Sequence, residues 1–367
     1  MGMETRRPAP LPGVATAAQA LDCARNGFEA LYMGGWIVAN ELYALPDIGL
    51  VGMERMVQGA REISLGLSAH GFGGTPILAD ADTGYGDVKN VRLTTQMYEQ
   101  AGVAAIHLED QQSPKRCGNT AGKTIISQEE FVQKIRSALD SRVDGDFSIV
   151  ARTDAMTAAY EAGTEPARVM DEIVEAERDG EAARRTEPME KAKLDRRWEE
   201  YYKSTTDESI RRLLAYAEAG ADGLWCESRG PAQIGQAERL AKEVKSAHPK
   251  VPLIFNYSPS YLNWEKHQIG FRDLGRMGFD AVLLTYWTYK RAHSALFDFY
   301  RNFREKGEKT LWELERALKE HPLENAQDYG GFKFWQGFEE AHAPPQAFQQ
   351  RYARSQGHGE LGPADIV

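Results

Sequence analysis

The sequence predicts an α/β protein, a (β/α)8 TIM-type barrel with a charged helical insertion and a C-terminal helical extension. Seven short segments rich in β-forming residues alternate with longer amphipathic segments, which is typical of βα units in a parallel sheet. The strand segments are apolar along almost their whole length, as expected where a parallel sheet is buried on both faces. A doubly wound open sheet is the alternative that this pattern also allows.

The predicted elements follow one another along the chain and place the barrel domain in residues 1–310. A weak eighth strand lies near residues 11–16, where glycine and proline interrupt the apolar run. The seven stronger strands cover residues 28–33, 76–81, 104–110, 147–153, 222–227, 252–258 and 279–285. Helices are predicted over residues 15–26, 51–66, 88–102, 128–141, 208–219, 231–247 and 288–305.

Two regions depart from the barrel pattern. Residues 172–206 are dense in charges of both signs, which predicts a solvated helical insertion. Residues 311–367 form the predicted extension, and the last part, from Gln349, is expected to be a loose tail. Aromatic residues without a barrel pattern indicate helices that pack on a neighbour such as another subunit; they are Phe332, Phe334, Trp335 and Phe338.

Composition excludes several classes of partner. The 367 residues carry a formal net charge of -10, which argues against a nucleic-acid or anionic membrane surface and favours small-molecule partners. The three cysteines have no CxxC spacing, so a disulfide framework and a thiolate zinc site are not expected, and a reducing cytoplasm fits best. No apolar stretch approaches the length of a membrane span.

Acidic residues gather where predicted strands end, which is the active-site face of such a barrel. Asp80 and Asp82 are two residues apart, so their carboxylates are expected to converge and to need a cation or a shared proton. Glu109 ends the next strand and Asp47 follows the strand of Tyr32. Hard carboxylate ligands favour Mg²⁺, with Mn²⁺ as the alternative. An Asx turn or a helix cap is the structural alternative.

The segment 113–123 surrounds Cys117 with lysine and arginine. Neighbouring positive charges stabilise a thiolate, so Cys117 is predicted to give or take a proton. Arg152 ends another strand and is suited to bidentate capture of a substrate carboxylate. The alternative for Arg152 is an ion pair with Glu109 or Glu227. His107, within a strand, has a core position as its alternative.

Seven motifs occur in the order and spacing of the isocitrate lyase and phosphoenolpyruvate mutase superfamily, which the chain resembles over residues 11–305. They are YMGGW, ADADTGYGD, HLEDQ, KRCGN, ARTDA, WCES and NYSPSYLNW. The KRCG loop is similar to that of the carbon–carbon lyases in the superfamily, and NYSPSYLNW resembles the isocitrate lyase segment NCSPSFNW. The resemblance implies a homotetramer that cleaves isocitrate to glyoxylate and succinate with Mg²⁺.

The same resemblance implies roles for the site residues. Asp80 would bind the metal directly, and the metal or its waters would also be held by Asp47, Asp82 and Glu109. Cys117 would protonate the succinate carbanion, and Tyr32 would be the base. His107 and Glu227 would support the network. The glyoxylate end would be lined by Tyr32, Gly34, Gly35, Trp36 and Arg152. The succinate carboxylates would be bound by Asn256, Ser258, Ser260 and Thr285, beside Gly118 and Asn119 of the loop.

Three alternatives share this fold, so the fold cannot choose among them. The nearest is a 2-methylisocitrate lyase, or a lyase for another substituted 2-hydroxy acid. A non-catalytic homologue is disfavoured because the acidic residues, Cys117 and Arg152 are all present. An oxaloacetate hydrolase is disfavoured by the cysteine loop.

Overall fold

A computed structural model describes residues 7–118, 120–160, 163–182, 188–258 and 264–353. The chain divides into two compact units, residues 1–291 and 292–367. Within the described part of the chain, none of the helices has both the length and the apolar character that crossing a membrane requires.

The first unit is built around eight parallel strands whose order around the sheet follows their order along the chain. β1 pairs with β8, and a bridge between Gly13 and Tyr32 joins the two ends of the sheet, so the barrel closes. The weak eighth strand exists and begins two residues before its predicted start. The strands are β1 (Ala9–Pro12), β2 (Leu31–Met33), β3 (Ile77–Asp80), β4 (Ala105–Glu109), β5 (Ser148–Thr153), β6 (Gly223–Cys226), β7 (Leu253–Asn256) and β8 (Ala281–Leu284).

Helices connect the strands and begin where the sequence offers capping side chains. Thr16, Asp87 and Ser127 each accept a hydrogen bond from a backbone N–H of the first turn that follows. The helices are α1 (Ala17–Arg25), α2 (Gly35–Tyr43), α3 (Met53–Ala69), α4 (Val88–Gln100), α5 (Gln128–Leu139), α6 (Glu165–Ala182), α7 (Pro188–Glu218), α8 (Ile234–Ala247), α9 (Trp264–His267), α10 (Phe271–Met277) and α11 (Trp287–Lys306).

The described residues of the charged segment 172–206 lie in α6 and α7, which pack against each other. α7 continues without a break from this segment into the barrel helix predicted at 208–219. The pair also has a small apolar core of its own, in which Val169 and Ile173 contact Tyr201. Part of the helix pair is therefore buried rather than solvated.

A layer of large apolar side chains fills the inside of the barrel: Leu11, Tyr32, Leu78, Val150, Trp225, Ile254 and Leu283. Because side chains alternate along a strand, the residue two positions further on points to the same side. Asp80 follows Leu78 in this way, and Arg152 follows Val150. The same alternation that places Leu78 and Val150 inside the barrel therefore places Asp80 and Arg152 at its mouth.

Replacing Leu224 with alanine is expected to destabilise the fold by about 3 kcal/mol, since it leaves a cavity in the layer between sheet and helices. Leu224 is fully buried in β6 within that core. Urea unfolding followed by circular dichroism measures the change. Leu65→Ala, at an exposed position of α3, should change the free energy of unfolding by less than about 0.5 kcal/mol. Equal effects of the two substitutions would contradict the assigned core.

The second unit contains the rest of α11 and four more helices, α12 (Lys309–Leu318), α13 (Ala326–Tyr329), α14 (Phe332–His342) and α15 (Pro345–Ala353). On α14 the side chains of Phe334, Trp335 and Phe338 are exposed. The expected loose tail is wrong for its first five residues, because α15 continues to Ala353. The remainder, 354–367, lies outside the described residues.

Candidate active site

Three of the four predicted metal ligands converge on one positive charge, the ammonium of Lys115. Its Nζ lies 2.8 Å from Asp47 Oδ1, 2.8 Å from Asp82 Oδ1 and 3.8 Å from Asp80 Oδ2. All four side chains are buried. The sequence had placed Lys115 only as a positive neighbour of Cys117, and no local signal could show its contact with the carboxylates.

Local backbone geometry holds Asp80 at the centre of this carboxylate cluster. Its carboxylate accepts hydrogen bonds from the backbone N–H groups of Gly35 and Asp82, both at 2.9 Å. Asp82 has a left-handed backbone, φ 49°, which turns the chain directly after β3. A Cβ at Gly35 would lie 2.9 Å from Asp80 Oδ2, so glycine is needed there for the close approach.

The cluster is electrostatically suited to a cation. Burial raises the pKa of Asp82 to about 7, and the negative charges of Asp80 and Asp47 add to this while Lys115 opposes it. Burial also acts to raise the pKa of Asp80, but the neighbouring His107, Lys115 and Arg152 outweigh it and hold that pKa below its usual range. The carboxylates in turn hold the pKa of Lys115 well above its usual value despite burial.

The cluster fits a divalent ion, although the described residues include no group of three or more His, Cys, Asp or Glu side chains arranged to coordinate one directly. Its members are hard oxygen donors, and the buried Asp82 Oδ1 has no hydrogen bond besides its ion pair with Lys115. Mg²⁺ keeps several waters and can be held through them.

Arg152 is surrounded by carboxylates at the end of β5. Its Nη1 lies 3.0 Å from Glu109 Oε2 and its Nη2 lies 3.7 Å from Glu227 Oε2, so the ion pairs considered as the alternative are present. Asp154, which the sequence analysis did not assign, binds the guanidinium through both oxygens at 3.0 and 3.1 Å. Glu109, the fourth predicted metal ligand, thus lies against Arg152. Burial raises the pKa of the Glu109 carboxyl well above its usual value.

Tyr32 and His107 form a buried pair beside Asp80. The Tyr32 hydroxyl lies 3.1 Å from His107 Nε2, which is 3.4 Å from Asp80 Oδ1. Burial, reinforced by Asp80, raises the pKa of Tyr32 well above its usual value, and burial lowers the pKa of His107 to about 4. Because the Tyr32 phenol and the His107 imidazole are both neutral, Tyr32 is not favoured as a base acting alone. Its hydroxyl does connect the mouth of the barrel to His107.

The predicted glyoxylate end lies at the start of α2. A Cβ at Gly34 would lie 2.6 Å from the ring of Tyr32, so glycine lets that ring lie against the backbone. Trp36 stacks on Tyr286 with ring centroids 4.1 Å apart, and both line the same pocket as Tyr32 and Asp80. Tyr286 was not predicted from the sequence.

The predicted carboxylate-binding end joins three strand ends. Asn256 Nδ2 donates to Glu227 Oε1 at 3.1 Å, and the Thr285 hydroxyl donates to Asn256 Oδ1. The Ser258 hydroxyl donates to Tyr286 Oη at 2.8 Å. Ser260 and Asn119 lie outside the described residues. Asn256 and Thr285 thus line the pocket together with Glu227.

Cys117 lines the same pocket at the tip of a loop, residues 112–123, that we call the Cys117 loop. The backbone N–H of Cys117 donates to the Asp47 carbonyl at 2.8 Å, so the loop tip is joined to the carboxylate side of the site. The other two cysteines are buried in apolar surroundings, as predicted, and burial raises the pKa of Cys23 to about 11. Cys117 is the cysteine that reaches the site.

Gly118→Ala is expected to keep the Cys117 loop from closing. A Cβ at Gly118 would lie 2.5 Å from Glu227 Cγ and 2.6 Å from Arg152 Nη2, which is closer than atoms can pack. Because the loop can move away, we expect unchanged thermal stability and a turnover about 100-fold lower, the loss typical of a small misplacement of a reacting group. Steady-state kinetics and calorimetry measure both. If Gly118→Ala turns over substrate like the wild type, turnover does not require the Cys117 loop to lie where this structure places it.

Known proteins match this chain over most of its length. Residues 4–175 match the phosphoenolpyruvate phosphomutase family, and residues 189–337 match the isocitrate lyase family. The isocitrate lyase of Haloferax volcanii is 30% identical over 95% of this chain and 86% of its own length. A 2-methylisocitrate lyase of Vibrio cholerae is 27% identical over 89% of this chain and 91% of its own.

A solved oxaloacetate acetylhydrolase, in complex with 3,3-difluorooxalacetate, superposes with a TM-score of 0.61 and 27% identity over 83% of this chain and 84% of its own. The two family matches between them cover most of the barrel and the insertion. With these matches and the site described above, the chain belongs to the isocitrate lyase and phosphoenolpyruvate mutase superfamily and is a carbon–carbon lyase.

Proposed function

We propose that the protein cleaves isocitrate to glyoxylate and succinate with Mg²⁺ as cofactor. The observation that carries the proposal is that Cys117 lines one pocket with Asp80 of the carboxylate cluster and with Asn256 and Thr285. A 2-hydroxy acid bearing further carboxylates needs these three elements together: a cation site, polar donors and a proton donor. When bound, Mg²⁺ would favour ionisation of the C2 hydroxyl and bind the adjacent carboxylate.

The side chains account for the remaining steps. The C2 hydroxyl proton passes to the Tyr32 oxygen while the Tyr32 hydroxyl proton passes to His107 Nε2. The bond between C2 and C3 then breaks, and its electron pair stays on C3. On substrate binding, Asn256 and Thr285 exchange their hydrogen bonds to Glu227 and to Asn256 Oδ1 for hydrogen bonds to the carboxylate that carries the developing charge. The Cys117 thiol delivers its proton to C3, which yields succinate, while C2 becomes the aldehyde carbon of glyoxylate.

Release of a 2-oxo acid, trapped as its hydrazone, tests the substrate. Purified protein is incubated with isocitrate or with 2-methylisocitrate, each with Mg²⁺ and with chelator. We expect glyoxylate from isocitrate that depends on Mg²⁺. Pyruvate from 2-methylisocitrate without cleavage of isocitrate would move the assignment to the nearest alternative. No product from either acid would move it to a lyase for another substituted 2-hydroxy acid.

We further propose that the protein assembles as a homotetramer in which the exposed aromatic residues of α14 are covered by a second copy. Such apolar residues are usually covered in an assembly. The exposed fractions of Phe334 and Trp335, 58% and 49%, support this. Sedimentation equilibrium is expected to give the tetramer mass at assay concentration. A monomer under those conditions would exclude the proposal.

A further inference from the structure

Lys123 lies at the end of the Cys117 loop with only 1% of its surface exposed. Its ammonium contacts three oxygens: the Gly118 carbonyl, Asp154 Oδ1 at 2.8 Å and the Thr157 hydroxyl. Burying an ammonium is costly unless it is paired, and here the pairing joins the tip of the loop to the end of β5. The mechanism above does not use this side chain.

We propose that Lys123 is a positioning residue that holds the tip of the Cys117 loop over the pocket and couples its position to that of Arg152. Asp154 provides the coupling, because its carboxylate binds Lys123 and Arg152 at the same time. The loop tip and the guanidinium therefore share one anchor. Movement of either one changes the hydrogen bonds available to the other.

The base of the loop is held separately. The side-chain amide of Gln111 donates to the Arg116 carbonyl and accepts from its N–H, at 2.8 and 2.9 Å. The Lys123 carbonyl accepts from Ala159 N–H at 2.7 Å. These bonds do not involve the Lys123 ammonium. Loss of that ammonium should therefore release the tip, residues 117–118, and leave the base in place.

Lys115 holds the loop from its other side, through its contacts with Asp47 and Asp82. The salt bridge between Lys123 and Asp154 involves a different lysine and a different aspartate. The two anchors are therefore separate, and loss of the Lys123 ammonium leaves the contacts of Lys115 in place.

The catalytic consequence rests on the proposed function, whereas the position of the loop does not. In Lys123→Met, we expect kcat for isocitrate to fall about 100-fold, because a small misplacement of a proton donor has effects of that size. KM should change less than kcat, since Asn256 and Thr285 still line the pocket. Because a loss of folded protein would also lower the apparent kcat, kcat is referred to the amount of folded protein.

Alkylation of Cys117 by iodoacetamide, without substrate, tests the loop itself. The rate at each cysteine is followed by peptide mass spectrometry in wild type, Lys123→Met and Lys123→Gln. Cys23 and Cys226 are buried and report on unfolding within the same molecules. Lys245→Met is the matched control, because Lys245 is also held by an aspartate, Asp280, and by a backbone carbonyl.

We expect Cys117 to react about tenfold faster in both Lys123 variants, the effect of losing a hydrogen bond from a charged group. Cys23 and Cys226 should react as in wild type, and Lys245→Met should leave Cys117 unchanged. A Cys117 rate within about twofold of wild type in both Lys123 variants would overturn the proposal. An equal rise at all three cysteines in both variants would also overturn it, since Lys123 would then stabilise the whole fold. If the wild-type protein does not cleave isocitrate, the proposed function is refuted. The effect of Lys123 on the alkylation rate of Cys117 would still stand.

Discussion

Cys117→Ser is expected to lower the turnover of isocitrate about 1000-fold, within the range that a positioned proton donor contributes. A serine hydroxyl is a much weaker acid than a thiol, so it cannot readily deliver a proton to the succinate carbanion. Binding should change by only a few-fold, because the substitution keeps the loop backbone, including the hydrogen bond from residue 117 to the Asp47 carbonyl. Glyoxylate release measures turnover, and isothermal titration with isocitrate measures binding.

Cys23→Ser is the matched control for this prediction. Cys23 packs in α1 within the core and lies outside the pocket. We expect its turnover to match that of wild type even if the protein is somewhat less stable. Full activity of Cys117→Ser would remove Cys117 from the proton transfer, and the source of the proton would have to be sought elsewhere in the pocket.

Asp80→Asn is expected to abolish both activity and tight binding of the divalent ion. Asp80 lies at the centre of the carboxylate cluster and orders its neighbours through hydrogen bonds with Gly35 and Asp82. The asparagine side chain keeps the shape of the Asp80 side chain but removes its negative charge. We expect affinity for Mn²⁺ to fall more than about 100-fold, since even outer partners of metal sites change affinity by 10- to 100-fold.

Titration with Mn²⁺ followed by electron paramagnetic resonance measures this binding without substrate. Asp140→Asn, at an exposed position after α5, is the control and should bind Mn²⁺ as wild type does. Chelator should stop wild-type activity, and added Mg²⁺ should restore it. An Asp80→Asn variant that is active in the presence of chelator would refute the role given to Asp80.

The ends of the predicted strands made much of this site predictable. Asp80 and Arg152 could be assigned to the mouth of the barrel because each lies at the carboxyl end of a predicted strand. The polar residues after β7 were found in the same way, and Asn256 does line the pocket. The Cys117 loop was recognised from its composition, since a cysteine among basic residues in a polar segment is unusual.

Contacts between segments far apart in the chain could not be predicted in this way. Asp47 was assigned from its place after a strand, yet its partner is Lys115, 68 residues later. Glu109 was assigned to the metal site, with an ion pair to Arg152 as the alternative, and only the pairing of β4 with β5 shows that the ion pair is present. Both pairings depend on how neighbouring strands and loops come together.

Local chemistry along the chain was enough to predict the barrel, the strand ends that carry the site and the cysteine loop, because period-two alternation and turn residues act over a few positions. Only the tertiary structure showed which charged side chains pair with one another. Buried charges must find partners, and the partners of Lys115, Arg152 and Lys123 come from other strands and loops. The charge state and geometry of the site therefore belong to the tertiary structure, since they depend on burial and on distances that no single segment contains.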